Sequence, residues 1–411
     1  MNQKLRTDAE LIARSAIDAV KPDEAVRRAL KNASLSSSVY LVAIGKAAWQ
    51  MAAAAVSALK QPLRDGIVIT KYDHAMGDIP GVRVFEAGHP VPDSNSYHAT
   101  EAVLDMTASL TEEDTVLFLI SGGGSALFEK PLVSPELMQQ TTEVLLRGGA
   151  DITQINTIRK RLSAVKGGRF AAHCAPAKIE AVILSDVLGD PVDVIASGPA
   201  AADAATAEDA AKIAARYGLD EHAQIRQLLA IETPKTVPNV HTQIIGSVRQ
   251  LCRAAEKTAK ALGYECIFLS DCLCAEASDT GRELAKELKT YAGSGRKIAL
   301  LAGGETVVHV KGRGLGGRNQ ELALAAAQIL SGVPEAALIS VGSDGTDGPT
   351  DAAGGYADTD TVAKLHAKGM DIHAYLADND AYHALEAVDG LIFTGPTGTN
   401  VNDLTVGLIL Q

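Results

Sequence analysis

Lys46 stands in Gly45-Lys46-Ala47, directly after the apolar run from Ser38. A lysine at such a strand-to-helix turn can neutralise a phosphate or orient an acid substrate; the plain alternative is a lysine that opens a surface helix. The turn is no Walker A motif, because Tyr40 occupies the first glycine position and Ala47 replaces the Ser/Thr. Ser121-Gly122-Gly123-Gly124-Ser125 follows a second apolar run, Thr115 to Ile120. Three glycines expose successive N–H groups and two serines add hydroxyls, a combination that suits a phosphate. With no serine between flanking glycines it is not a nucleophile elbow. Ser185-Asp186-Val187-Leu188-Gly189-Asp190-Pro191 sets two carboxylates beyond a third run. Either can take a proton from a substrate hydroxyl or hold Mg²⁺, or simply close an Asx-type turn.

The second half repeats the pattern. Gly303-Gly304-Glu305-Thr306 ends an apolar run, and a loop with Gly312, Gly314, Gly316 and Gly317 leads to Arg318 at the head of an alanine-rich helix. Unpaired N–H groups and the positive dipole end at a helix start suit an anion, and Arg318 adds a charged fork. Gly312, Gly314 and Gly317 also spell G-x-G-x-x-G, a weak signal by itself. Asp344, Asp347 and Asp351 share one glycine-rich loop. Without an EF-hand pattern, Asp344 and Asp347 are candidates for Mg²⁺ shared with nucleotide phosphates. His74, His89 and His309 are isolated in the sequence and read as loop or strand residues.

The elements that must position these groups alternate. Strands are expected at Ser38 to Gly45, Ile67 to Thr70, Val82 to Ala87, Thr115 to Ile120, Ile179 to Leu184 and Val240 to Ile245. Later ones are expected at Cys266 to Ser270, Ile298 to Ala302, Val307 to Val310 and Leu338 to Gly342, and a final apolar segment runs from Leu404 to Leu410. Helical spacing lies between most of them, so the expected class is α/β, with mostly parallel sheets covered on both faces. Two prolines within Thr233 to Asn239 mark a linker.

The chain has 411 residues, more than one ordinary core holds, so two domains are expected. Aromatics are 4% and the net charge is −12. Neither suits a stacking-based nucleic-acid binder or an anionic membrane surface. Five cysteines without a C-x-x-C pair suit a reducing cytoplasm. The N-terminal stretch reads as an amphipathic helix, and no run approaches ~20 apolar residues.

Taken in order, GKA at 45, SGGGSAL at 121, NTIRKRLSAVKGGR from 156 and SDVLGDPVDVIASGP from 185 lead the series. LAGGETVVHVKGRGLGGRNQEL from 301, GSDGTDGPTDAAGG from 342 and GPTGTNVNDL from 395 complete it. Together they resemble the glycerate 2-kinase family, whose C-terminal module is called MOFRL. The resemblance spans nearly the whole chain. It implies a Rossmann-like domain over 1–235, a MOFRL-type α/β domain over 240–411, and an active-site cleft between them. It implies ATP and Mg²⁺, and transfer of the γ-phosphoryl to the 2-hydroxyl of D-glycerate in the cytoplasm; a homodimer is allowed for. Lys46 and Arg318 match the family's lysine and arginine at the substrate and phosphoryl group, and Asp186 or Asp190 its aspartate. Ser121 to Ser125, Gly303 to Thr306, Gly314, Gly316 and Gly317 are the expected nucleotide cradle. Some relatives carry the label hydroxypyruvate reductase, which is one rival. A non-catalytic binder of phosphorylated metabolites is the other.

Overall fold

The computed structural model describes residues 3–410. It divides into two compact units: one spans Pro22–Ile245, and the other joins the residues through Lys21 to those from Gly246 onward.

In the unit spanning 22–245, six strands form one sheet: β1 (Ser38–Ile44), β2 (Asp65–Lys71), β3 (Arg83–Ala87), β4 (Asp114–Ile120), β5 (Lys178–Leu184) and β6 (Val240–Gly246). Their order is β3-β2-β1-β4-β5-β6, and β1 through β5 run parallel. Both faces are covered, so β1, β2, β4 and β5 are almost continuously apolar and buried. Phe118 of β4 packs at 4.9 Å on Phe170, which in turn meets Phe128 at 5.2 Å. The order reverses between β1 and β4, and ligands of open α/β sheets lie at that reversal, beyond the strands' carboxyl ends. Gly45-Lys46 leaves β1 there and Ser121 leaves β4. A smaller core joins helices Pro135–Arg147, Ile152–Arg161, Ala207–Arg216 and Ala223–Leu229.

The other unit carries a sheet of β7 (Glu265–Leu273), β8 (Ile298–Gly304), β9 (Ala336–Gly342), β10 (Gly354–Asp358), β11 (Leu391–Ile392) and β12 (Asp403–Ile409). The order is β11-β10-β9-β12-β8-β7. Only β7 and β8 are parallel neighbours; the other pairs are antiparallel. The expectation of mostly parallel sheets therefore fails here. β12 enters between β8 and β9 against both, and β10 returns beside β9. No helix lies between β11 and β12, and antiparallel pairing needs none.

Two further expectations change. Val307 to Val310 is not a strand: Val307 makes a single bridge to Glu276, and Val310 is exposed. The division at 235–240 also differs from the compact units. β6 completes the first sheet, while helix Gln3–Ala19 buries Leu5, Ile12, Ala16 and Ile17 with the residues beyond 246. Among the described residues no helix is long and apolar enough to cross a membrane.

Candidate active site

The turn after β1 and the loop after β4 are tied together. Lys46 N donates to Gly122 O at 2.8 Å, Ala47 N to Ser121 Oγ at 3.1 Å, and Ser121 N to Ile44 O at 2.9 Å. Gly45 holds φ +114°, and a methyl group there would lie 2.3 Å from Ser121 Oγ. At Gly122 a methyl would lie 2.0 Å from Asp186 Oδ2. The absent side chain is what lets the carboxylate reach the loop backbone. Of the two candidate aspartates, the fold thus brings Asp186 to the loop. Asp190 sits in the turn beyond, with φ +55° and its N–H on Val187 O.

His89 joins this cluster, which its isolated place in the sequence gave no reason to expect. Its Nε2 and the Lys46 Cγ both lie next to the Gly123 α-carbon. Burial, then the charges of Lys46 and Lys71, hold its pKa below the ordinary value, so the ring is neutral at pH 7. A neutral imidazole beside a lysine can donate to or accept from a bound anion's hydroxyl.

Ser125 is held from the far side. Its Oγ is 3.0 Å from Ser197 Oγ, and its carbonyl accepts from Lys166 Nζ at 2.8 Å. Lys166 is fully buried, donates also to Phe128 O, and lies 3.3 Å from Glu129; burial brings its pKa down to about 8. Ala196 and Ser197 both take left-handed backbone, φ +51° and +62°, and Gly167 N holds the Ser197 carbonyl at 3.0 Å. Such strain persists only where surroundings over-determine it, and it concentrates at functional sites.

The second cluster lies in the other unit, around Arg318 at the start of helix Arg318–Leu330. Its Nε and Nη2 donate to the two oxygens of Asp403, and Nη1 donates to Glu305 Oε1 at 3.0 Å. Burial disfavours the guanidinium charge, but Asp403 and Glu305 outweigh it and raise the pKa further. Burial pushes the Asp403 carboxyl up to about 6, and the fork keeps it ionised at neutral pH. Asp344 Oδ1 and Asp403 Oδ1 flank the Gly342 α-carbon, so Asp344 belongs to this cluster. Asp403 stands near the end of the polar stretch GPTGTNVNDL, and only the fold shows it buried on β12.

Part of the glycine loop ahead of Arg318, Gly314 included, is already bonded within the fold. N–H groups from Lys311 to Leu315 are taken by Asp378, Asn379 and Asp380. The helix start is filled as well. Asp347 accepts from Asn319 N at 3.1 Å and Gln320 N at 2.9 Å, occupying the place expected for a ligand anion. Gly303 and Gly304 pack against Val248, Leu273 and Asp403 O, which leaves no room for a side chain. Thr306 is buried, with a hydroxyl that has no hydrogen-bond partner among the described residues.

The aspartates expected at a metal have partners of their own. Both Asp347 oxygens are committed to the helix, and Asp344 Oδ1 accepts from Thr346 N. Among the described residues no group of three or more His, Cys, Asp or Glu side chains is placed to hold an ion.

Residues 8–230 match a domain of unknown function, DUF4147, and residues 298–403 match the MOFRL family. The D-glycerate 2-kinase of Thermotoga maritima is 50% identical, over 99% of each chain. A crystal structure of glycerate kinase from the same organism matches with TM-score 0.96 at 50% identity, covering 99% of this chain and 100% of that one. A putative hydroxypyruvate reductase of Agrobacterium vitis is 38% identical over 90% of this chain and 86% of its own. With both family domains in place and likeness running from end to end, the chain belongs to the glycerate 2-kinase family.

Proposed function

We propose that the protein transfers the γ-phosphoryl of ATP to the 2-hydroxyl of D-glycerate, giving 2-phosphoglycerate and ADP. The observation that carries this reading is the meeting of Lys46, His89 and Asp186 on the Gly122-Gly123 backbone at the reversal between β1 and β4. Phosphoryl transfer asks the protein for in-line placement and charge stabilisation more than for covalent help. Lys46 neutralises an anionic oxygen, the backbone of Gly122 to Gly124 approaches the phosphate closely, and Asp186 orients or deprotonates the acceptor hydroxyl. In the other unit, Arg318 is a fixed cation whose direction Asp403 sets. Mg²⁺ enters as the ion carried on the nucleotide phosphates, with few protein ligands. The five cysteines are free thiols, which fits the proposed reducing cytoplasm.

The test is direct incubation with D-glycerate, ATP and Mg²⁺, following ADP and the isomer of phosphoglycerate. The reading requires stoichiometric ADP and 2-phosphoglycerate. NADH oxidation with hydroxypyruvate, and no ADP, would reject it in favour of a reductase. Binding without turnover would leave a metabolite-binding protein.

A further inference from the structure

The Lys46 α-carbon joins two peptide planes, and each is held. In the first, Lys46 N donates to Gly122 O at 2.8 Å, and Gly45 O accepts from Ala48 N at 3.1 Å. In the second, Ala47 N donates to Ser121 Oγ at 3.1 Å, which leaves the Lys46 carbonyl. The helix that follows, Ala48–Ala58, does not take it. Its N-cap is Ala47, whose own carbonyl accepts from Met51 N at 3.0 Å. Among the described residues no backbone N–H reaches the Lys46 carbonyl.

Side chains reach it instead. His74 Nδ1 lies 3.0 Å from the Lys46 oxygen, and Thr70 Oγ1 stands at 3.5 Å, long for a hydroxyl. A carbonyl only accepts, so Nδ1 carries the proton. His74 is 28 positions away in sequence, and the sheet brings it in. β2 lies between β1 and β3, so the turns leaving the three strands are neighbours. Glu86, the penultimate residue of β3, pins the loop: its Oε1 accepts from His74 N at 3.1 Å and from Ala75 N at 3.0 Å. The imidazole is thus anchored on one strand and holds the turn after another.

We propose that His74 is a positioning residue for Lys46: its Nδ1–H fixes the Lys46 carbonyl and, through that peptide, the direction of the lysine side chain. This rests on the kinase reading, in which Lys46 neutralises an anionic oxygen. With the carbonyl released, the second plane is free to rotate about the Lys46 α-carbon, and a misplacement of about 1 Å in a reacting group is expensive. His74 itself touches neither substrate in this role.

The test uses variants at one half-buried loop position, so folded protein is expected. Turnover is followed as ADP formed from ATP, Mg²⁺ and D-glycerate, on variants that keep the wild-type melting temperature. His74→Ala should lower kcat/KM about tenfold. His74→Asn sets an amide N–H where Nδ1 stands and should return kcat/KM to within about threefold of wild type. In a Lys46→Ala background, His74→Ala should cost less than about twofold more, because a residue that acts through Lys46 has nothing left to position. Wild-type turnover in His74→Ala overturns the proposal and leaves a turn residue. Asparagine no better than alanine overturns it as well. A full tenfold loss in the Lys46→Ala background, about that of the single variant, makes His74 an independent contact and does the same. Each of these leaves the kinase reading standing. A wild type that forms no ADP rejects that reading, and the proposal falls with it.

Discussion

Arg318 grips Asp403 with two parallel hydrogen bonds, Nε to Oδ2 at 2.6 Å and Nη2 to Oδ1 at 3.0 Å. Glu305 takes the remaining Nη1. A planar fork fixed on two sides is a charge with a defined direction, and a lysine has no second arm to reproduce it. Arg318→Lys should therefore lower kcat/KM by about 100-fold, although the charge is retained. The check is steady-state kinetics on a variant whose circular dichroism matches wild type. Near-wild-type turnover would show that charge alone suffices there.

The same pair predicts a pH dependence. The folded Asp403 carboxyl titrates at about 6, above its ordinary 3.8. Between those values the folded chain holds the extra proton, so this group's contribution to stability is full at low pH and is lost as pH rises through about 6. Activity should run the other way, because the fork needs a carboxylate: kcat/KM falls as pH is lowered through about 6. In Asp403→Asn that acid limb should disappear from the pH–rate profile. An identical limb in the variant would assign it to another group, with His89 the first candidate.

Gly122 predicts a close-approach effect. Alanine there places a methyl 2.0 Å from Asp186 Oδ2, so either the loop or the carboxylate must move. Gly122→Ala should lose at least about tenfold in kcat/KM, since small displacements of reacting groups are expensive. Gly149→Ala is the control: its φ of +75° is strained by a side chain, but nothing lies within 4 Å. It should cost roughly 1 kcal/mol of stability and leave turnover intact.

Asp347 predicts stability rather than metal binding. Removing its carboxylate orphans the Asn319 and Gln320 N–H groups in a buried site. Asp347→Ala should cost about 2 kcal/mol in denaturant unfolding. The Mg²⁺ concentration for half-maximal rate should stay where it is in wild type. A large rise in that concentration would restore Asp347 as a metal ligand.

Ser197 separates strain from function. Glycine tolerates φ +62° freely but lacks the hydroxyl that meets Ser125. Ser197→Gly should hold or raise the melting temperature while kcat/KM falls about tenfold. Ser197→Ala should lose both. Equal activity in the glycine variant and wild type would make the serine a purely structural turn residue.

The first sheet was legible because its strands are buried on both faces. Runs such as Thr115 to Ile120 carry no polar interruption, and the chemistry follows each at its carboxyl end. β10 and β11 were not legible. Gly354-Gly355 has low strand propensity, and Leu391–Ile392 is too short to show a period; only pairing with β9 and β10 makes them strands. Val307 to Val310 failed for the opposite reason, showing alternation without a partner. At the site, Lys46, Arg318, Asp186 and the Ser121 loop announce themselves by type and position. Asp403 and His89 do not, because their importance comes from what the fold places beside them. The donors of the Gly312 to Gly317 loop looked vacant for the same reason: Asp378 to Asp380 lie more than sixty residues away in sequence.

Helix Gln3–Ala19 packs with residues made more than two hundred positions later. On the ribosome the chain from Pro22 to Ile245 can therefore finish its fold while the first helix still waits, its apolar stripe of Leu5, Ile12 and Ile17 without a final berth. The unit completed later is the one that holds the earlier-made helix. A fragment beginning at Gly246 would emerge with that berth uncovered, and supplying residues 3–21 as a separate peptide would be the way to close it.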